Sequence, residues 1–560
     1  MEQPSVETMQ LAYQIFDRYG RLKDELMRHC VRKGSGVWQN ELSSGNFLLI
    51  ESVSVAQKHR GSGIGRNIVL NLIEKAQGLD NDVRFVFAYP SCLHEGEDFQ
   101  ERDGKTKDER IKMADAQTAN AIRFFRALGF RRIGLTNWFA FSIKDVNHPS
   151  RGLSSQDDPD PPEMEYDENY ESDDSQPEVT KYTTVLSSAA LKEDGNFDFS
   201  EAGFSSARRV AENFIKSKND RRQARSRFKQ KYPIHHYLTN LSDSKALEIL
   251  KEQCLDKQSQ DTLVTMKDGE KNTILHTAAC QFKPDCITWI LNWLQVNDQL
   301  FVETSRNIYG YTPLEALQSK LEEVRLGYYY GPRFILRADQ FDGFSDSATF
   351  SVLELKRQTR TNLEAMNQAR FGCSCGWCLG GFLSRQMVQI ITLVAEEVLL
   401  KLTETEQVKS HEEWYTLNQD LLKDIPRTAR IMFKKSKVLR RGFQEFFKTI
   451  IRCVQAGNIP TSENLISLYR SSRLWPQMHA FYFARGGSID AATGIVLDFA
   501  KTRMKMILQG NGSDYLTLSN LPSCRNDYEF ELVRRQCTNL KKIEITSPQS
   551  SAISLDDILR

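Results

Sequence analysis

No stretch of this 560-residue sequence stays apolar long enough to cross a bilayer. The longest uncharged segment, Phe371–Ser384, holds four glycines and meets Arg385 well short of the ~20 apolar residues that a spanning helix needs. The apolar run Met387–Leu400 contains Glu396 and Glu397, which predicts a core helix. A secretory pattern is missing too, since Met1–Gln10 carries Glu2 and Glu7 and no apolar core. Charge of one sign is absent overall, with Lys+Arg 74 against Asp+Glu 73, which excludes a chain that holds nucleic acid by its net charge. Eleven cysteines are an odd number for a large chain without a leader, so reduced thiols and a cytoplasmic or nuclear protein are expected. What is present is globular composition, 40% hydrophobic and 26% charged, in a length that predicts several domains.

Periodicity and composition divide the chain. Residues 1–148 predict an α/β domain. Helical spacing covers 5–29, and strands are expected at Val37-Trp38 and Phe47–Val55. A glycine turn, Gly61–Gly65, leads into a helix over Asn67–Ala76 with Ile68, Leu72 and Ile73 on one face. A strand at Val83–Ala88, a charged loop at Glu95–Arg110, a helix at Ala119–Leu128 and two strands within Phe130–Ile143 complete it. Residues 149–205 read as an acidic linker. Eleven of the thirty residues from Arg151 to Thr180 are acidic and four are proline, too little apolar surface to offset the entropy of ordering. The basic stretch Arg208–Lys231 reads as a solvated helix face rather than a nucleic-acid patch. Residues 206–330 hold this helix and a repeat region, 331–510 a helical domain with a cysteine cluster, and 511–560 a polar tail.

The repeat signal rests on three segments: Tyr232-Pro233-Ile234-His235, Thr273-Ile274-Leu275-His276-Thr277-Ala278-Ala279 and Thr312-Pro313-Leu314-Glu315-Ala316-Leu317. Their first residues lie 41 and 39 positions apart. Asp268-Gly269 and Tyr309-Gly310 supply turns ahead of the second and third copies. The pattern resembles the Thr-Pro-Leu-His-x-Ala opening of ankyrin repeats over residues 232–325, in a degenerate form with longer spacing. The resemblance implies all-α stacked repeats that bind a protein partner, with His235 and His276 stabilising turns rather than holding metal.

A second resemblance begins at Val53-Ser54-Val55 and runs through Arg60-Gly61-Ser62-Gly63-Ile64-Gly65-Arg66. A strand, a glycine turn and a helix start in that order make an anion site from backbone N–H groups. A Walker loop would need Lys-Ser/Thr after Gly65, and a Rossmann fingerprint an acid after the next strand; both are absent. Arg-x-x-Gly-x-Gly at Arg60, Gly63 and Gly65, followed by Phe124-Phe125-Arg126-Ala127-Leu128-Gly129-Phe130, resembles the GNAT superfamily of N-acetyltransferases over residues 45–143. The resemblance implies a mixed sheet with flanking helices, acetyl-CoA as co-substrate and acetyl transfer to a protein or small-molecule amine. It implies cofactor binding by Val53, Val55, Arg60, Gly61, Gly63, Ile64, Gly65 and Arg66. Glu51, placed on the strand face of Val53 and Val55, is the candidate general base. Phe125 stands where the family often has a tyrosine that protonates the leaving thiolate, and Thr118 where it often has an asparagine. These two residues favour the alternative, a non-catalytic interaction protein on a degenerate GNAT fold.

Cys373-Ser374-Cys375-Gly376-Trp377-Cys378 is the tightest cysteine cluster. Three thiolates this close are three of the four ligands that structural zinc takes. Only one Cys-x-x-Cys is present, and His411 and Cys453 are distant in sequence, so a buried reduced turn with no metal is expected. Followed by Leu379-Gly380-Gly381-Phe382-Leu383-Ser384, the block resembles fungal ankyrin-repeat proteins, which implies an architecture rather than a chemistry. Helices are expected beyond it at Met387–Leu402, Ile431–Val454 and Ala491–Leu508.

Overall fold

The structure is a computed structural model. It describes residues 5–80, 82–92, 105–162, 226–253, 266–330, 333–336, 340–408, 410–471, 482–485, 487–508, 518 and 520–538. Most of the expected charged loop, the acidic linker from residue 163, the basic stretch as far as 225 and the tail beyond 538 lie outside the described residues. The chain divides into two compact units, one within residues 1–165 and the other over most of residues 166–560. Among the described residues no helix is long and apolar enough to cross a membrane.

The first unit is built on β2 (Val83–Ala88), which is apolar at every position but Arg84. It lies between β1 (Asn46–Ile50), paired in parallel from Asn46↔Val83 to Ile50↔Ala88, and β4 (Phe139–Ser142), paired antiparallel from Phe85↔Ser142 to Ala88↔Phe139. β3 (Arg131–Arg132) adds to the far side of β4, so the sheet is mixed, in the order β1-β2-β4-β3. Side chains alternate faces along a strand. Val86, Ala88, Phe139 and Phe141 bury toward α3 (Ile64–Leu79) and α4 (Lys107–Ala127), against Val69, Ile73 and Phe125. Phe85, Phe87 and Ala140 bury on the other face with Leu11 and Ile15 of α1 (Val6–Ile15) and Leu26 of α2 (Asp24–Arg28). Burial on both faces is why β2 reads as an unbroken apolar run.

Several elements depart from expectation. Val37-Trp38 is not a strand; Trp38 is buried, and its indole N–H donates to the Arg131 carbonyl at 3.2 Å. β1 stops at Ile50 instead of running to Val55, because its parallel partner reaches Tyr89-Pro90, where proline offers no N–H to the ladder. α3 buries Val69 and Ile73, and leaves Ile68 and Leu72 exposed: its apolar residues span more of the helix than one sheet face can cover. α4 begins at Lys107, twelve residues early. A Thr106/Glu109 capping box starts it, and its charged first half needs no apolar stripe because it faces solvent.

The start of the acidic segment is docked rather than solvated. The Arg126 guanidinium bonds Asp158 at 2.8 Å and Asp160 at 2.9 Å. Arg132 bonds Asp160 at 2.5 Å, and its backbone N–H donates to Asp158 at 3.0 Å. Burial works against the Asp160 charge, but hydrogen bonds from Arg126 and Arg132 outweigh it and hold its carboxyl below the ordinary value. The linker expected from residue 149 is therefore part of the first unit as far as its described residues extend.

In the second unit, paired helices stack in two rows. One row is α5 (Pro233–Asn240), α7 (Ile274–Cys280) and α9 (Pro313–Leu326). The other is α6 (Asp243–Gln253), α8 (Pro284–Val296) and α10 (Asp346–Leu355). The turns ahead of α7 and α9 are built alike, 39 residues apart. The Asp268 carboxylate accepts the Asn272 N–H at 2.8 Å, and the Asn307 amide oxygen accepts the Tyr311 N–H at 3.0 Å. Thr273 and Thr312 then cap their helices, with His276 and Glu315 closing the boxes. His276 also reaches the next turn, its Nε2 lying 2.9 Å from the Tyr311 carbonyl, and His235 Nδ1 lies 2.7 Å from Thr277 Oγ1 of the following repeat. Asp243 accepts the N–H groups of Asp285 and Cys286 at 2.8 and 3.1 Å, capping the neighbouring α8.

Beyond α10 come α11 (Leu363–Arg370), α12 (Arg385–Glu404), α13 (Arg427–Phe433), α14 (Lys437–Gln455), α15 (Ser462–Ser471), α16 (Ile489–Leu508) and α17 (Phe530–Cys537). The helix expected at Ile431–Val454 is broken, and Ser436 caps the second part. One hydrophobic core runs from Ile234 to Cys537, through the boundary expected at 330, and takes in Phe530, Leu532 and Val533 of the expected polar tail.

This packing has two testable outcomes. Asp158→Ala strips a fully buried partner from Arg126 and should destabilise the first unit by about 3–5 kcal/mol in denaturant unfolding of the full chain. Burial, above all, holds His235 and His276 down to about 4 from an ordinary 6.5, so both are neutral in the fold. Between those values the unfolded chain binds more protons than the fold. Stability is therefore complete above pH 6.5 and falls, by on the order of 3 kcal/mol per histidine, as pH drops through the window. The Asp268 carboxyl, raised by burial, acts in the opposite sense, since the fold binds its proton more readily than the unfolded chain. Denaturant midpoints at pH 7 and 5.5 should converge for His276→Gln relative to wild type.

Candidate functional site

Two clusters of chemically capable residues stand out, one in each unit. In the first, the glycine loop sits between the end of β1 and the start of α3. Glu51 to Ala56 follow β1 without regular structure, and a single turn, Gln57–His59, leads to Arg60. Gly61 and Gly63 have φ of +77° and +82°, a left-handed conformation that side-chain-bearing residues rarely adopt. Gly63 is the N-cap of α3, and no side chain caps the helix there. Its first-turn N–H groups, from Ile64, Gly65 and Arg66, thus meet solvent at the positive end of a 16-residue helix. Lys58, Arg60 and Arg66 flank this end in sequence, and no acid occurs in sequence between Glu51 and Glu74. The arrangement is suited to an anion.

Packing sets the loop's geometry. Arg60 Nε donates to the Val55 carbonyl at 2.8 Å, tying the loop back to the strand end. Ser62 Oγ donates to the His59 carbonyl at 2.6 Å. A Cβ on Gly65 would come within 3.3 Å of the Phe124 ring and 3.5 Å of Val55, so this glycine lets α3 approach α4. Val55, Arg60 and Gly65 are thereby brought together, and Val53 packs, half-buried, on the core beneath. Glu51 is different. It lies one residue past the last paired residue of β1 and is exposed, while Val53 and Val55 are half-buried, so the strand face expected to group the three does not form. Phe125 is buried against the Phe124 and Phe130 rings, at 5.2 and 5.1 Å. The Thr118 hydroxyl accepts the Cys92 N–H at 3.1 Å, fixing the chain that leaves β2.

The second cluster is made of sulfur. Cys373, Cys375 and Cys378 lie in the turn between α11 and α12, and Cys524 joins them from the segment ahead of α17. All four sulfurs lie within 4.8 Å of one another. Cys373–Cys375 and Cys375–Cys378 are each 3.8 Å apart, and Cys378–Cys524 3.4 Å. Thiols of Cys378 and Cys524 donate toward Cys373 and hold it below the ordinary thiol range, whereas burial pushes Cys375 up to about 12. The distant residues considered as a fourth partner are engaged elsewhere. The Cys453 thiol points at the Ile459 carbonyl, 3.4 Å away, and His411 Nδ1 meets Arg440. Cys524 escaped notice in the sequence because it stands alone, 146 residues after Cys378, in a stretch read as tail. The chain matches no family model, no curated protein and no solved structure in the three comparisons made.

Proposed function

We propose that the first unit binds an acyl-CoA through the pyrophosphate at the Arg60–Arg66 loop and transfers the acyl group to an amine, and that the stacked helices of the second unit serve as an ankyrin-like scaffold for a protein partner. One observation carries this: a helix N-terminus without a side-chain cap, opened by two exposed left-handed glycines, with Lys58, Arg60 and Arg66 beside it in sequence and no acid between Glu51 and Glu74. The end of the β1–β2 ladder at Ile50 and Ala88 supports it, since the two chains are no longer paired to each other beyond that point, which suits the entry of an extended ligand arm. In such a site the amides of Gly61, Gly63, Ile64, Gly65 and Arg66 hold the diphosphate, and an N–H near Val55 polarises the thioester carbonyl. Glu51, exposed beside the strand end, is the residue proposed to take the amine proton.

The non-catalytic reading has its own support. Phe125 has no proton to give and is packed in the core, and the Thr118 hydroxyl is already bonded to the Cys92 amide. The two are separated by isothermal titration of acetyl-CoA into the full chain, followed by a thioester-cleavage assay with amine acceptors. Binding with turnover is expected. Gly63→Val, which forces a branched side chain onto a φ of +82°, should weaken acetyl-CoA by at least about tenfold, with the unfolding midpoint of the second unit unchanged. Binding without turnover would leave the interaction protein as the better description, and no binding at high micromolar ligand would remove the acyl-CoA reading.

A further inference from the structure

The four sulfurs have the dimensions of a metal site. Around zinc at a Zn–S distance of about 2.3 Å, a tetrahedron of thiolates has edges of about 3.8 Å. Two of the observed separations are 3.8 Å, a third is 3.4 Å and none of the six exceeds 4.8 Å, so shifts of no more than about an ångström centre an ion. A multi-iron cluster would spread its sulfurs around several metal ions, whereas these four all lie within 4.8 Å of each other. Thiolates are soft ligands, and four in a tetrahedron select zinc among the common divalent ions.

The surroundings are built for thiolates. The Trp377 N–H points at Cys375 Sγ at 3.3 Å, made possible by Gly376 at φ +75°. The Ser374 N–H points at Cys524 Sγ at 3.4 Å. Such donors stabilise ligand charge and orient the sulfur. The Cys524 backbone is itself clamped. Its N–H donates to Asp527 at 2.8 Å, the Arg525 N–H donates to Ser374 Oγ at 3.0 Å, and the buried Asn526 amide donates to the Gly381 carbonyl at 2.9 Å. A local turn and two bonds to the Ser374–Gly381 stretch thus hold Cys524 at the cluster.

We propose that Cys373, Cys375, Cys378 and Cys524 form a closed structural zinc site that fastens the segment ahead of α17 to the turn between α11 and α12. Each ligating thiol gives its proton to solvent as its sulfur binds the ion, and no oxidation is involved. With four protein ligands no coordination position is open for substrate, which separates this site from catalytic zinc. The site is independent of the glycine loop and stands whether or not the first unit binds acyl-CoA.

The test is metal analysis of the full chain expressed with zinc, by mass spectrometry of the metal and by colorimetric release with a mercurial. About one zinc per chain is expected, falling at least about fivefold in Cys524→Ser and Cys375→Ser and staying at one in Cys453→Ser, a buried cysteine outside the cluster. Cobalt substitution guards against variants that misfold. The wild-type chain should take up one cobalt with the charge-transfer and visible bands of a tetrahedral all-thiolate site, which zinc then bleaches. A zinc-free chain without a cobalt spectrum, stoichiometric iron instead of zinc, or a disulfide among the four cysteines would each overturn the proposal.

Discussion

A stack of paired helices never finishes burying itself: each pair covers the face of the one before and exposes its own. This constraint organises the second unit. α5 to α10 provide two rows that are covered in turn, and α11 packs on α10 at the end of the second row. The core then continues without a break into α12, α14 and α16 and ends on α17. The repeats and the helices after them are one body for this reason, since a boundary at 330 would leave Leu317, Leu321 and Val352 facing water on the order of 2 kcal/mol apiece. Polar contacts follow the same logic. His235, His276, Asp243 and Asn307 each bond a group in an adjacent repeat, so the register between repeats is set by directional bonds as well as by apolar contact.

Sequence is legible where local physics decides. Val83–Ala88 can be placed to the residue because burial on both faces leaves a continuous apolar run. The Thr273 and Thr312 helix starts are readable because their caps are signals only four residues long, and the glycine turn because positive φ favours glycine. Elements set by partners are not. The stop of β1 at Ile50 depends on a proline just past the end of its neighbouring strand, and the length of α4 on helix formers that need no apolar period. The docking of Asp158 and Asp160 is hidden inside a composition that argues for solvation; two arginines in the preceding helix and strand reverse it.

The same contrast separates the two candidate sites. The glycine loop is contiguous, so its residues can be named from spacing, although the exposure of Glu51 cannot. The sulfur cluster is three residues of local signal and one of topology. A lone cysteine in a polar stretch has nothing to distinguish it, and only the path of the chain through α12 to α16 returns it to the turn where the other three wait.

Gly65 carries a consequence for the loop beyond its own position. The contact it permits is made against the side chains of Phe124 and Val55. A lever has its aim set at the fulcrum. A methyl there would need the Phe124 ring to give by a few tenths of an ångström, and where the ring held its place the helix and the aim of its N-terminal amides would shift instead. The placing of this helix N-terminus thus rests in part on a steric gap, and a hydrocarbon contact bears on an electrostatic one.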